Sequence, residues 1–319
     1  MSTEQELPET MRAIVVTRFG GPEVLEEREL PRPEPVPTEV LVRVAAVGVN
    51  PTDWKSRTSG GPKLWGDPVI VGYDVAGEVV KVGGGVTTLA VGDRVFGMPW
   101  FPRQAGAYAE YVTAPSRQWA RIPAGLDDVG AAALPLAALT AWQALVDAAD
   151  LQAGERVLIH AAAGGVGHLA VQIAKARGAH VIGTASAGKH ELLRGLGADE
   201  LVDYTTTDFA EAVRDVDVVL DTIGGDYVAR SLATMRDGGR LVTLLGPQPE
   251  AFADAAARGL HASWLLVEPD GRGMEAIAAL VADGRLRALI DRTFPLAQAA
   301  DAHRHGERGR TTGKIVLTV

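Results

Sequence analysis

The 319-residue chain contains no cysteine. That absence removes disulfides, thiolate nucleophiles and every cysteine-bearing zinc site at once. It also fits a reducing compartment. Positive charge is short: 31 Lys and Arg face 40 Asp and Glu, for a net charge of −9. A surface of that sign does not suit a phosphate backbone, so no nucleic-acid partner is expected. One small anionic ligand in a local basic pocket remains compatible with it. The seven histidines form no HxxxH or similar cluster, and no metal site is expected. Long apolar runs are nearly absent. The longest uncharged stretch, residues 129–146, is built on alanine and interrupted by Pro135, Thr140 and Gln143. It reads as a buried helix, not a bilayer span. The first ten residues carry three glutamates and no apolar core, so they read as a frayed arm and not as a secretory signal. A soluble, cytoplasmic protein is expected.

What is present is an ordinary globular balance, 47% hydrophobic and 22% charged, at a length that favours about two domains. From residue 12 to about 112 the pattern is short β-type runs punctuated by Gly and Pro, at 13–16, 40–49, 75–82, 94–96 and 108–112. Such runs predict a small antiparallel barrel. Pro31, Pro33, Pro35 and Pro37 mark an extended connector that cannot be helix interior. From residue 132 to about 267 apolar runs alternate with helical segments. Strands are expected at 156–160, 180–184, 201–204, 216–221, 240–245 and 261–267, with helices such as 167–177 and 189–196 between them. That rhythm predicts βαβ units, a parallel sheet and a doubly wound α/β fold. The tail adds helices near 274–283 and 296–304 and a last strand at 314–319.

The strongest local signal is Val157-Leu-Ile-His-Ala-Ala-Ala-Gly164-Gly165-Val166-Gly167-His-Leu-Ala170. A strand runs into a glycine-rich turn and a helix opens at once. Pyrophosphate needs that layout, because it must approach backbone N–H groups at the positive end of a helix with no Cβ in the way. NAD-specific sites place an acid roughly 20 residues on, bonded to the ribose 2′-hydroxyl. Here that zone is Gly183-Thr184-Ala-Ser186-Ala-Gly-Lys189, with no acid before Glu191. Ser186 offers a hydroxyl and Lys189 a charge to a 2′-phosphate, and Tyr204 at the end of the next strand offers a phenol. NADPH is the cofactor these residues favour.

Six motifs occur in order: Gly48-Val-Asn-Pro-Thr-Asp53, Gly72-Tyr-Asp-Val-Ala-Gly-Glu78, Val91-Gly-Asp-Arg-Val-Phe-Gly97, Gly106-Ala-Tyr-Ala-Glu-Tyr111, the 161–167 turn and Gly309-Arg-Thr-Thr-Gly-Lys314. Together they resemble the zinc-independent quinone oxidoreductases of the medium-chain dehydrogenase/reductase superfamily, over nearly the whole chain from about residue 11. Gly72-Tyr-Asp-Val-Ala-Gly77 is especially similar to the alkenal/oxoene reductases in that group. The resemblance implies a GroES-like catalytic domain over 1–131, a Rossmann NADPH domain over 132–267, and a return of 268–319 to the catalytic domain, with the active site between domains and a homodimer through the edge of the Rossmann sheet. It implies cofactor contacts at Thr140, Ile223, Gly224, Leu245, Gly246, Leu266 and Lys314. Zinc-dependent relatives carry a cysteine where this chain has Asn50 and a histidine where it has Tyr73. Without a Lewis acid, the expected acceptors are already electrophilic.

In conjugated enones, enals and quinones a remote carbon accepts hydride directly, and the protein has to stabilise the developing oxyanion. The candidate donors are Asn50, Tyr73 and Lys55. Tyr73 either bonds the carbonyl, supplies the second proton or packs the wall, and relatives often carry tyrosine where Lys55 stands, which leaves the acid unassigned. His160 reads as a satisfied core residue, and Asp53 and Asp93 read as partners of local backbone. Trp54, Trp65, Trp100 and Phe101 read as barrel packing near the cleft. Two further readings stay open: an enoyl reductase working on a larger biosynthetic intermediate, and a non-catalytic NADPH-binding protein of the crystallin kind.

Overall fold

The computed structural model describes residues 7–60 and 68–319, so Trp65 lies outside it. In chain order the strands are β1 (Thr10–Val16), β2 (Leu25–Pro31), β3 (Glu39–Val49), β4 (Val69–Ile70), β5 (Asp74–Val82), β6 (Arg94–Gly97), β7 (Tyr111–Pro115), β8 (Trp119–Arg121), β9 (Arg156–Ile159), β10 (His180–Thr184), β11 (Glu200–Val202), β12 (Val216–Asp221), β13 (Met235–Thr243), β14 (His261–Trp264), β15 (Ile290–Pro295) and β16 (Lys314–Thr318). They divide between two compact units. The first holds the chain up to Leu136 with Pro269–Ala278 and Ile290–Val319, and the second holds Ala137–Glu268 and Ala279–Leu289.

In the first unit β3 is the hub. It pairs antiparallel with β5, β7 and β16, in a sheet ordered β15-β16-β3-β5-β6-β8. Its burial is nearly continuous, as a strand covered on both faces requires. A second, three-stranded sheet has the order β2-β1-β4. The pairing of β2 along all of β1 was not legible in the sequence, because Leu25-Glu-Glu-Arg-Glu-Leu-Pro31 has no apolar alternation. The 129–146 stretch is not one helix. Asp127 accepts from Gly130 N at 2.7 Å and starts a short helix, Asp128–Ala132. Pro135 then opens a separate one, Pro135–Trp142, which widens into a π-helical turn, Gln143–Ala148.

The second unit is a six-stranded, all-parallel sheet in the order β11-β10-β9-β12-β13-β14. In this order the chain starts in the centre, winds outward one way, and returns to wind outward the other. The turn after β9 therefore sits at the switch point, where ligands bind in such sheets. Part of the tail stays with this unit and does not return to the first. The Gln172 amide donates to Arg287 O at 3.0 Å and accepts from Arg287 N at 3.0 Å, and Leu289 N donates to His168 Nε2 at 3.1 Å. Among the described residues no helix is long and apolar enough to cross a membrane.

Candidate functional site

The turn after β9 begins at Ala161, held at φ +46°. Thr184, at the end of β10, fixes it from beside: its hydroxyl accepts from Ala161 N at 3.2 Å and its carbonyl from Ala162 N at 3.0 Å. Thr184 is 1% exposed, so it organises the turn from underneath. Gly164 N closes the turn on Ala161 O at 2.8 Å. Gly167 then packs so tightly that a Cβ would stand 2.3 Å from Ala161 O. The helix Gly167–Ala176 starts here with Val166 at its N-cap, no capping side chain and no acid in its first turn. The N–H groups of Gly165 and Val166 find no acceptor among the described residues. Open backbone donors at the uncapped N-terminus of a helix behind a glycine turn suit an anion such as a pyrophosphate.

Most of the other expected contacts fall on the same end of the sheet, while Lys314 lies on β16 of the first unit. Ser186 and Lys189 lie in the turn after β10, half-buried; Lys189 N donates to Ser186 O at 2.9 Å, while its ammonium makes no ion pair or hydrogen bond with the described residues. Tyr204 follows β11 and is 53% exposed. Asp203, which the sequence reading passed over, also lies here. Its carboxylate is held below the ordinary range by bonds from the Thr205 hydroxyl, from Thr205 N and from Ala187 N. Its lone pairs thus order the turn that carries Lys189. Ile223, Leu245 and Leu266 stand beyond β12, β13 and β14, each 40–47% exposed, with Gly224 and Gly246 beside them at positive φ. Thr140 is buried in the helix Pro135–Trp142.

Asp221 is a functional organiser that the sequence reading missed, although an Asp followed by a Gly-Gly pair is a turn signal. Fully buried at the end of β12, it accepts from Ile223 N and Gly224 N, both at 3.0 Å, and from the Thr243 hydroxyl at 2.7 Å. His160 is a satisfied core group. Its ring bonds Thr184 Oγ1 at 3.3 Å and Ser231 Oγ at 2.9 Å, and burial pushes it down to about 4, so it is neutral at pH 7.

In the first unit Asn50, Tyr73, Asp74 and Lys314 are all 3% exposed or less. Asn50 Nδ2 donates to Asp74 Oδ2 at 2.8 Å and to Gly48 O at 3.4 Å, and its Oδ1 accepts from Lys314 Nζ. Both amide hydrogens are therefore spent internally, and Asn50 is not a free oxyanion donor in this arrangement. Lys314 Nζ also lies 3.3 Å from Asp74 Oδ2, so its charge is committed to a buried pair. Asp74 is nevertheless raised, since the cost of burial outweighs Lys314 and its hydrogen bonds. Tyr73 meets Phe101 edge-on at 4.9 Å and bonds Ser56; burial first, then the charge of Asp53, push its phenol above the usual range. Lys55 lies on the exposed side of the helix Pro51–Ser59.

Asp53, on the buried side of that helix, heads a chain of bonds. It accepts from Asn50 N at 2.7 Å and from Tyr108 Oη at 3.3 Å, while its Oδ1 has no partner among the described residues. Burial pushes it up to about 7. Tyr108 Oη meets His303 Nε2 at 2.9 Å, and His303 Nδ1 meets the guanidinium of Arg57 at 3.1 Å. Arg57 only donates, so Nδ1 accepts and Nε2 carries the hydrogen. Burial, then Arg57, push His303 down to about 3. Trp54 packs edge-on to His303, and Trp100 donates to Thr113 O at 2.8 Å. Asp93 bonds Ala90 N and Arg121, a local structural role. No three of His, Asp and Glu gather into a metal-holding group among the described residues.

Two family models match: an alcohol dehydrogenase GroES-like domain over residues 36–124 and a zinc-binding dehydrogenase over 196–317. An NADPH-dependent alkenal/one oxidoreductase of Arabidopsis thaliana is 34% identical, over 99% of this chain and 82% of that one. A solved quinone oxidoreductase from Coxiella burnetii superposes with a TM-score of 0.90 at 37% identity, covering 97% of this chain and 99% of the other. Polyketide synthase GfsB of Streptomyces halstedii is 42% identical over 88% of this chain, which spans only 5% of that much longer protein. The fold and the glycine turn define a pyridine-nucleotide-binding dehydrogenase. Within that class, the chain belongs to the medium-chain dehydrogenase/reductase family, and quinone and alkenal reductases are among its relatives.

Proposed function

We propose that the chain is an NADPH-dependent reductase that delivers hydride to the C=C bond of a conjugated enone or enal, or to a quinone. The observation that carries this reading is the uncapped N-terminus at Gly165–Gly167 with the unpaired Lys189 one strand away. The first suits a pyrophosphate and the second a 2′-phosphate. The bound nucleotide supplies the hydride. Asn50 and Tyr73 stand at the positions where zinc-dependent relatives carry metal ligands, so the acceptor has to be activated by its own conjugation. The exposed Lys55 and the Tyr73 hydroxyl are the groups assigned to the developing oxyanion, with Asn50 holding Asp74 and Lys314 behind them. The name of the Arabidopsis relative points to the same cofactor and acceptor class. We assign the chain to the cytoplasm, as a homodimer formed through the exposed β14 edge. The test is regiochemical. Deuteride from C4 of the cofactor should label the β-carbon of an enone, and reaction in D2O should label the α-carbon. Deuterium on the carbinol carbon would replace this reading with a carbonyl reductase.

The match to a polyketide synthase favours a second reading, reduction of an enoyl thioester tethered to a carrier. Rates on a free 2-enal and on the matching carrier-bound enoyl thioester separate the two.

A further inference from the structure

Beyond β12 and β13 lie two loops, Asp221-Thr-Ile-Gly-Gly225 and Thr243-Leu-Leu-Gly-Pro-Gln248. The first contains consecutive glycines at positive φ: Gly224 at +78°, and Gly225 at φ 62°, ψ −136°. A glycine pair of this kind has many conformations open to it and loses much entropy when fixed. The loop is fixed from two sides. Asp221 anchors its start through Ile223 N and Gly224 N. Gln248 anchors its end: with the amide oriented as its neighbours require, Nε2 donates to Gly225 O at 3.0 Å and Oε1 accepts from Gly225 N at 3.1 Å.

Gln248 does not serve the helix it precedes. It is the N-cap residue of the helix Pro249–Ala257, yet its side chain does not cap that helix. It crosses to Gly225, which is the N-cap of the helix Asp226–Ser231. One carboxamide thus ties two loops at the ends of adjacent strands. The loops also touch directly, since a Cβ on Gly224 would lie 2.7 Å from Leu245 Cβ. Locked together, they hold out two large aliphatic side chains, Ile223 at 40% and Leu245 at 44% exposed.

This step rests on the nucleotide reading above. With pyrophosphate at the turn after β9 and the 2′-phosphate on the β10 side, the nicotinamide riboside falls on the β12–β13 side. We infer that Gln248 is a positioning residue for the nicotinamide half: acting through Gly225, it sets Ile223 and Leu245 as one apolar floor. It has no part in holding the adenosine half.

The test compares wild type with Gln248→Ala and Gln248→Glu, using 2′,5′-ADP as a probe of the adenosine half alone and NADPH as the whole ligand. Thermal melts without ligand verify the fold. In Gln248→Ala, binding of 2′,5′-ADP should stay within about twofold of wild type. NADPH should bind roughly 3- to 10-fold more weakly, and single-turnover oxidation by a 2-enal should slow by about tenfold or more. Gln248→Glu still accepts from Gly225 N but sets a carboxylate oxygen against the Gly225 carbonyl, and should weaken NADPH at least as much as Gln248→Ala while leaving 2′,5′-ADP within about twofold. Equal weakening of both ligands, or no change in either, overturns the assignment. Failure of the wild type to bind either ligand would instead sink the nucleotide reading itself.

Discussion

Replacing Gly167 by alanine sets two opposed expectations against each other. A glycine-to-alanine change at a helical position ordinarily stabilises a protein by about 0.4–1 kcal/mol. Here the new Cβ would stand 2.3 Å from Ala161 O and 2.8 and 2.9 Å from Ala162 Cα and C, all backbone atoms. Carbon and oxygen in contact sit at about 3.3–3.6 Å, so the carbonyl must retreat by roughly 1 Å. That carbonyl accepts from Gly164 N at 2.8 Å, and a bond stretched so far is lost. Losing it costs about 0.5–1.5 kcal/mol, and the overpacking adds about 1–3 kcal/mol. After the helical gain is subtracted, the net is a destabilisation of about 0.5–4 kcal/mol. At this chain length 1 kcal/mol corresponds to roughly 1.5 °C, so the melting temperature should drop by about 1–6 °C.

The same displacement moves the N–H groups of Gly165 and Val166 off a bound pyrophosphate. One charge-assisted bond lost corresponds to roughly 10- to 100-fold weaker NADPH binding. Gly164→Ala is the control. Its Cβ meets only Ala161 O, at 3.1 Å, and a few tenths of an ångström relieve that contact. Its melting temperature should move by no more than about 1 °C. The assays are a ligand-free thermal melt and an NADPH fluorescence titration. A Gly167→Ala protein that melts at or above wild type and binds NADPH equally well would refute the steric account of the turn.

Lys189→Ala should weaken NADPH binding about 10- to 100-fold and leave NADH nearly unchanged, since one charged contact to phosphate is lost; equal loss for both would mean that Lys189 only supports its turn. Asp53 supplies a pH signature. Burial raises it from 3.8 to about 7, so between those values the folded chain holds a proton that the unfolded chain releases, and stability falls as pH rises. The stability advantage of wild type over Asp53→Asn in urea should thus shrink by about 1.4 kcal/mol per pH unit from 4 to 7 and level off above, and a constant difference would count against the raised value. His303, lowered from 6.5 to about 3, has the opposite slope and masks Asp53 in the wild-type curve alone. Arg57→Ala leaves His303 Nδ1 and Glu307 without their buried partner and should cost about 3–5 kcal/mol in chemical denaturation; a loss below about 1 kcal/mol would show that the network contributes little.

What the sequence could reveal follows from how far apart the interacting residues lie. The glycine turn, the uncapped helix behind it and the parallel strand rhythm are local, and each was legible from a dozen neighbouring residues. The helix Pro51–Ser59 was not among the expected elements, although Asn50, Pro51 at the first position and Asp53 three residues after the cap form a start signal. Its nine residues are mostly polar and show no apolar stripe, which is why periodicity passed over it. The strand β2 is hidden for a deeper reason, because only its pairing with β1 makes Leu25–Pro31 a strand. The candidate catalytic residues show the same limit in chemical form. Asn50 looks like a free amide in its motif, and only β5 and β16 beside it reveal that Asp74 and Lys314 take up its hydrogen-bonding groups. Gln248 bonds a residue 23 positions earlier, and no spacing rule reaches that far. A buried polar group is therefore readable as a residue type from sequence, but its role depends on which strands the fold sets beside it. For this chain Asn50, whatever its motif suggests, has both amide hydrogens spent on Asp74 and Gly48.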